Sequence, residues 1–567
     1  MHSGASAGAL ADMETLPLAD GGSIRLRAMT VDKTETGWLA FDGWSAPTVT
    51  RAHFADSASI PDGSFIALDV DATNRRARFI SDKFGSRSLY FAVSGTDLYF
   101  ADNLDFFSHV FPELRVRTLG VLEWCHFGQG LLPHTMCEGL SVLTPGHRLT
   151  VDLASGALSR DILFDPVDQL DPALYAENCR KPMEQLEKEL EACFDRAIQK
   201  YVGAEKAISI LLSGGVDSSF MTAITARHAK VNAITVDIVG GESEVPFAQR
   251  VARHVGAELT VSRFDKAAFQ ECFIRTVHAS SLPPIIDNAV ALFHVGAQGL
   301  LPDSARILDG EGADALYYGS TPLFRTELAR LVVADALGLS EPLLNRIVQR
   351  LNGPLGKLGF RYATSFKPAG VDLSLGVRMA EVEELTDRIT ARLAHVREGS
   401  EREIATVTMR EFFGYMLPLF SRLDAMARIS SSMTALPFLE EEFFRFSVNL
   451  PVRSKVGRKP WTAQPATKIL LKRVAAKLVP PDVIYRPKMG FGIPGGEWVG
   501  AFPENWFADS WIGETFGLAR STLEQKLRRS AGQRDMMYYM GLEAWGRLFI
   551  RKQPLDIVDG EYRAAQR

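Results

Sequence analysis

The segment Ser213-Gly214-Gly215-Val216-Asp217-Ser218-Ser219 joins an apolar run, "AISILL", to an apolar helical pattern. Two glycines at a strand-to-helix junction let the backbone come close to a ligand and allow φ values closed to other residues. Successive N–H groups and a helix N-terminus make an anion site there, with Ser213 and Ser218 adding hydroxyl donors. An acid is out of place in a loop that binds phosphate directly. Asp217 makes sense if it holds Mg2+, which in turn holds the phosphates. The plain alternative is a glycine-rich turn whose Asp and Ser cap the next helix. A Walker loop is excluded, because the Gly-Lys-Ser/Thr ending is missing.

The elements that must position this loop can be read around it. Met183, Leu186, Leu190, Cys193, Phe194, Ala197 and Tyr201 fall on one helical face. Strands are predicted at "AISILLS", "VNAITVDI", "ELTVSRF" and "ARILDG". Helices are predicted between them, from about Ser219 to His228 and over "EVPFAQRVARHVGA". Alternating strands and helices predict a doubly wound parallel α/β sheet, with ligands beyond the carboxyl ends of its strands. Beyond Thr321 the pattern is mostly helical. From about Ser23 to Leu153 the texture differs. Short strand-like runs such as "SFIALDV", "RARFIS", "SLYFAV" and "HRLTVD" predict an antiparallel, β-rich region, closed by a hairpin and a Pro/Asp-rich linker.

At 567 residues the chain predicts more than one core. A net charge of −5 and the lack of a long basic block argue against nucleic acid as the partner. Five scattered Cys without a CxxC pair argue against a disulfide scaffold or a zinc site. No signal-peptide pattern and no membrane-length apolar run are found, so the expected setting is the cytoplasm.

"SGGVDSS" resembles the pyrophosphate loop of the N-type ATP pyrophosphatases, and further blocks resemble asparagine synthetases. They are "LDGEGADALYYG", "LPFLEEEF", "TKILLKRVAAKLVPPDVIYRPKMGFGIP", "SDKFGSRSLYFA" and "LLPHTMCEGLSVLTPGHRLTVD", in the family's order. The resemblance implies residues 1–165 as a degenerate glutaminase-like domain of the N-terminal-nucleophile hydrolase type. It implies residues 180–555 as the ATP-pyrophosphatase domain with a helical extension. ATP and Mg2+ are the implied cofactors. Ser213, Gly214, Gly215, Asp217 and Ser218 would hold pyrophosphate and metal, and Asp314 would be the second metal carboxylate. Gly310 would let the backbone approach the nucleotide, and the backbone near Val236 would face adenine. Lys488 would sit on the α-phosphate and Lys468 on the leaving pyrophosphate, against the plain reading of solvated surface lysines. Glu311 would be the general base for an attacking amine, and Asp287, placed just before the fourth strand, a substrate contact.

Departures from the family shape the expected function. The start reads Met1-His2-Ser3, whereas a working glutaminase of this class exposes a Cys after Met, so glutamine hydrolysis is not expected. The family's Glu-x-Arg-x-Pro-Phe-Leu-Asp becomes Met433-Thr434-Ala435-Leu436-Pro437-Phe438-Leu439-Glu440, with two charges lost. Tyr317 and Tyr318 replace part of Phe-Gly-Gly-Tyr and could stack on a larger substrate, although core packing is the commoner role for Tyr. The resulting expectation is an AMP-forming amide ligase of the lasso peptide cyclase kind, acting on a peptide or small amino-acid-derived substrate. A leader peptidase and a leader-binding protein would be its partners. A β-lactam or carbapenam-type synthetase, an ammonia-dependent asparagine synthetase-like enzyme and a nucleotide-binding regulator are the alternatives.

Overall fold

The computed structural model describes residues 14–566, except for 320–383, 410–415 and several shorter stretches. In the first half, six antiparallel strands form a meander. They are β1 (Thr30–Thr34), β2 (Gly37–Ala46), β3 (Asp62–Asp71), β4 (Arg76–Ser81), β5 (His147–Asp152) and β6 (Leu158–Ile162), in the order β6-β5-β4-β3-β2-β1. Alternation along β3 divides its side chains between two cores. Ile66, Leu68 and Val70 join Trp38, Phe79 and Leu149 on one face. Phe65 and Ala67 join Phe54, Ile80 and Phe164 on the other. A sheet buried on both faces explains why "SFIALDV" is nearly continuous in apolar residues rather than strictly alternating.

In the second half, β7 (Ala207–Leu211), β8 (Lys230–Ile238), β9 (Glu258–Phe264), β10 (Arg306–Leu308) and β11 (Met433–Ala435) form a parallel sheet of order β9-β8-β7-β10-β11. The chain reverses its direction of sheet growth beside β7, which opens a crevice between the loops after β7 and β10. Helix α1 (Met183–Val202) buries the face expected from its spacing, including Leu186, Leu190, Phe194 and Tyr201. Helix α2 runs over Val216–Thr225, three residues earlier than the sequence pattern predicts. The glycine loop therefore passes straight into a helix N-terminus. Helices α3 (Val245–Val255) and α4 (Asn288–Ala297) flank the sheet. Because α4 begins at Asn288, the segment holding Asp287 leads into a helix and not into the fourth strand. Asp287 itself lies outside the described residues, as do Met1, His2 and Ser3 and much of the chain beyond Thr321. Among the described residues from 416 onward the structure is mostly helical, as expected.

The two halves meet on β11. Trp44 Nε1–H donates to the Thr434 carbonyl at 2.9 Å. Lys83 Nζ donates to Asp62 at 2.7 Å and to Glu441 at 2.6 Å, and Lys200 Nζ bridges Asp62 and Glu440 at 2.5 Å each. Buried carboxylates need such partners. This network ties β3 to the Pro437–Glu440 corner directly after β11. Among the described residues no helix is long and apolar enough to cross a membrane.

Candidate active site

Ser213, Gly214 and Gly215 connect β7 to α2, and Gly215 is the N-cap residue. Gly214 has φ +69°, and a Cβ there would lie 2.7 Å from the Ala248 nitrogen and from Phe247. Both backbone conformation and space thus require glycine. Gly214→Ala is expected to lose about 1–2 kcal/mol of stability from the left-handed backbone alone, with more from the overlap with Phe247. An unchanged urea midpoint would show that the loop relaxes instead. Ser213 and Ser218 hydroxyls lie 3.1 Å apart, and Gly215 N–H donates to Ser213 Oγ at 3.2 Å, so the loop is braced internally.

The loop after β10 faces it. Gly310 is so close that a Cβ would sit 3.3 Å from Asp217 Cβ. Asp314 lies in the first turn of α5 (Ala313–Tyr317). Between the two acids runs Lys468, whose ammonium pairs with both Asp217 and Asp314. Lys468 is 4% exposed, so the plain surface reading fails for it. It is held at φ +56° just before helix α8 (Ile469–Leu478), and its N–H donates to the Tyr317 carbonyl at 3.1 Å. Burial opposes its charge, but the two carboxylates outweigh burial and raise its pKa. Lys488 Nζ donates to Asp314 Oδ2 at 2.7 Å. Burial would raise the Asp314 carboxyl, yet Lys468 and Lys488 hold it well below the usual carboxylate range.

The donor set fits Mg2+. Asp217 Oδ1 is buried with no hydrogen-bond partner. A Cβ on Gly319 would come within 1.8 Å of Asp314 Oδ1, so glycine keeps that carboxylate clear. Among the described residues no three His, Cys, Asp or Glu gather as a closed metal cage. Two carboxylates on facing loops could hold an ion that takes its other ligands from water and phosphate.

Glu311 follows Gly310, and its N–H donates to Asp309 Oδ1 at 2.8 Å. Its carboxylate pairs with Arg422 on α6 (Met416–Ile429). Arg422 also donates to Asn288 Oδ1 at 2.5 Å and to the Leu419 carbonyl at 3.2 Å. Burial and the neighbouring Glu311 charge push Asp309 up to about 6. Val236 is buried within β8, two residues before its end, and pairs with Ser262 of β9. Met433 pairs with Arg306 at the amino end of β10, so the charge lost there lies at the end of the strand away from the site loops. Ala435 pairs with Leu308, and its carbonyl accepts the Asp309 N–H at 3.0 Å, so only this changed position borders the site. Tyr317 and Tyr318 are 0% and 2% exposed, which fits core packing and not stacking on substrate in this state.

Two arginines were not anticipated. Arg422 closes on the Glu311 carboxylate. The Arg486 side chain is 8% exposed, donates to Glu244 at 2.8 Å and to the Gly214 carbonyl at 3.4 Å, and lies 4.3 Å over the Phe247 ring. It clamps the segment carrying Lys488 onto the glycine loop. Its place two residues before Lys488 was the available signal.

A profile of the family described as Asparagine synthase matches residues 189–547. The chain belongs to the asparagine synthase family. Asparagine synthetase (glutamine-hydrolyzing) 1 of Bacillus subtilis is 22% identical over 79% of this chain and 70% of its own length. A Mycobacterium bovis protein with the provisional name of a glutamine-hydrolyzing asparagine synthetase is 25% identical over 55% of this chain. Amidase chry2 of Gibberella zeae is 25% identical over 47% of this chain and 41% of its own. The chain spans about half the length of the first curated relatives it matches, 49% for the mycobacterial one.

Proposed function

We propose that this asparagine synthase family member is an ATP-dependent carbon–nitrogen ligase that forms AMP and pyrophosphate. It adenylates a substrate carboxylate, and an amine of the same peptide then displaces AMP, closing a macrolactam as a lasso peptide cyclase does. The observation that carries the ligase reading is the meeting of Asp217, Asp314, Lys468 and Lys488 beyond a glycine loop at the carboxyl ends of β7 and β10. Such a site suits a polyphosphate with a divalent ion. Asp217 and Asp314 would hold Mg2+, which when bound supplies charge neutralisation on the polyphosphate.

In the first step a carboxylate oxygen bonds to the α-phosphorus and the α–β phosphoanhydride breaks. The N–H groups at the start of α2 receive phosphate oxygens, and Lys468 and Lys488 counter the charge of the departing pyrophosphate and of the α-phosphoryl group. In the second step the amine nitrogen bonds to the acyl carbon, the acyl–phosphate bond breaks, and AMP leaves. Glu311 takes the amine proton. The peptide reading rests on Ala435, where the family pattern has Arg. An uncharged small residue beside Asp309 favours a substrate bound by more than a free amino acid's charges.

The relatives' names support a second reading, an ammonia-dependent amidation of the asparagine synthetase kind. Pyrophosphate release from ATP·Mg2+ separates the readings. The arms are a peptide with a free N-terminus and an internal Asp or Glu, a β-amino acid, and aspartate with ammonium or with glutamine. Release with the peptide and a product lighter by one water supports the cyclase. Release only with aspartate supports the second reading, and release only with the β-amino acid a lactam synthetase. No release in any arm, with ATP bound, leaves a nucleotide-binding regulator.

A further inference from the structure

Lys455 ends the short helix α7 (Val452–Lys455) and is 3% exposed. Among the described residues no carboxylate pairs with it. Its Nζ lies 5.9 Å from the Tyr317 ring centre and 5.5 Å from that of Tyr318. A buried amine without a counter-ion is costly to charge, and burial pushes the Lys455 pKa down to about 7. An apolar side chain of the same volume would pack there at lower cost. Its stem and charge therefore call for a role other than stability.

The surroundings supply one. Lys455 leads directly into a two-stranded hairpin, Val456–Arg458 with Pro465–Thr467, in which Val456 pairs with Thr467. Lys468 follows on the other side. The two lysines thus flank the hairpin, and both engage the same turn. Lys455 meets the faces of Tyr317 and Tyr318, while Lys468 N–H binds the Tyr317 carbonyl. Ser447 fixes the far end of Tyr317 by a 2.7 Å hydroxyl contact. Tyr318 sits at φ +62°, a strained value for a bulky residue, and Gly319 N–H closes back on the Asp314 carbonyl at 2.7 Å. The turn over residues 317–319 therefore holds the Asp314 carbonyl and the Lys468 N–H, and Lys455, when protonated, lies over the two rings of that turn.

We propose that Lys455 is a positioning residue for the pyrophosphate site, acting through Tyr317 and Tyr318 on Asp314 and Lys468. This rests on the ATP reading above. The test compares wild type, Lys455→Met and Lys455→Arg as full chains, measuring ATP·Mg2+ and inorganic pyrophosphate·Mg2+ binding by calorimetry, with thermal melting alongside. Lys455→Met is expected to melt no lower than wild type, since it removes an unpaired buried charge. At pH 6, where Lys455 is mostly protonated, it should bind both probes about 10- to 30-fold more weakly, the worth of a desolvated cation–π contact. Lys455→Arg keeps a cation over the rings and should recover most of the affinity. Equal binding by Lys455→Met and wild type overturns the proposal, and so does a loss that Lys455→Arg does not rescue. If Lys455→Met fails to fold, Lys455→Gln is read the same way; failure of both makes the residue structural and ends the proposal. Absence of binding by wild type overturns the ATP reading itself, an outcome distinct from equal binding by all variants.

Discussion

Asp314→Asn should abolish ATP–pyrophosphate exchange, with a fall of about 10³-fold or more, the scale of losing a preorganised charge at a phosphoryl centre. The charge count explains the size. Two ammonium groups, Lys468 and Lys488, and two carboxylates, Asp217 and Asp314, face one another, and their formal charges cancel. The Asn side chain keeps the shape but leaves one carboxylate against two cations. That surplus favours an anion and disfavours a divalent cation. Metal-free pyrophosphate should therefore bind Asp314→Asn at least as well as wild type, while the Mg2+ requirement is lost along with exchange. Asp217→Asn should behave alike, because its Oδ1 is the buried oxygen without a protein partner. Normal exchange in either folded variant would sink the assignment of the two acids as a metal pair. Retained Mg2+ dependence with a mere rise in the ATP requirement would point to a role in binding alone.

The loop after β7 was legible because its signal is local. Glycines, serines and an acid sit within seven residues at a strand end, and their chemistry does not depend on distant contacts. The parallel sheet was legible for the same kind of reason, since long runs such as "VNAITVDI" alternate with helical patterns. Strand β11 was not, because three residues carry no period, and its place is fixed by pairing with β10 more than a hundred residues away. Lys468 shows the limit most clearly. In the sequence it is one Lys ahead of an apolar helix, indistinguishable from a solvated charge. Only the fold brings Asp217 and Asp314 to its two sides. Arg422, Arg486 and Lys455 were missed on similar grounds, since each acts on a residue far along the chain. For Tyr317 and Tyr318 the sequence leaves both stacking and core packing open, and burial of both rings decides for packing.

Glu311→Gln should separate the two half-reactions. Pyrophosphate exchange is expected to stay within a few-fold of wild type, because Gln preserves the shape of the loop and the Asp309–Glu311 backbone contact. Amide formation should fall by about 10²- to 10⁴-fold, the usual worth of a positioned general base. The pairing of Glu311 with Arg422 sharpens the test. The Arg422 guanidinium occupies the carboxylate that would take the proton, so the base works only if the incoming amine or substrate carboxylate draws Arg422 aside. Arg422 would then bind the acyl group while Glu311 faces the amine. If Glu311 served merely to hold Arg422, Gln would still accept one guanidinium N–H, and both half-reactions would change little. If Arg422 instead positions the carboxylate for adenylation, Arg422→Met should depress exchange, the step that Glu311→Gln spares. Asp309 is the competing base, with burial and the Glu311 charge placing it near 6. Removing the Glu311 charge lowers Asp309 toward the ordinary range and makes it a weaker base, so it cannot compensate in Glu311→Gln. Single-turnover assays of adenylate formation and of adenylate consumption on the same variants decide among these roles.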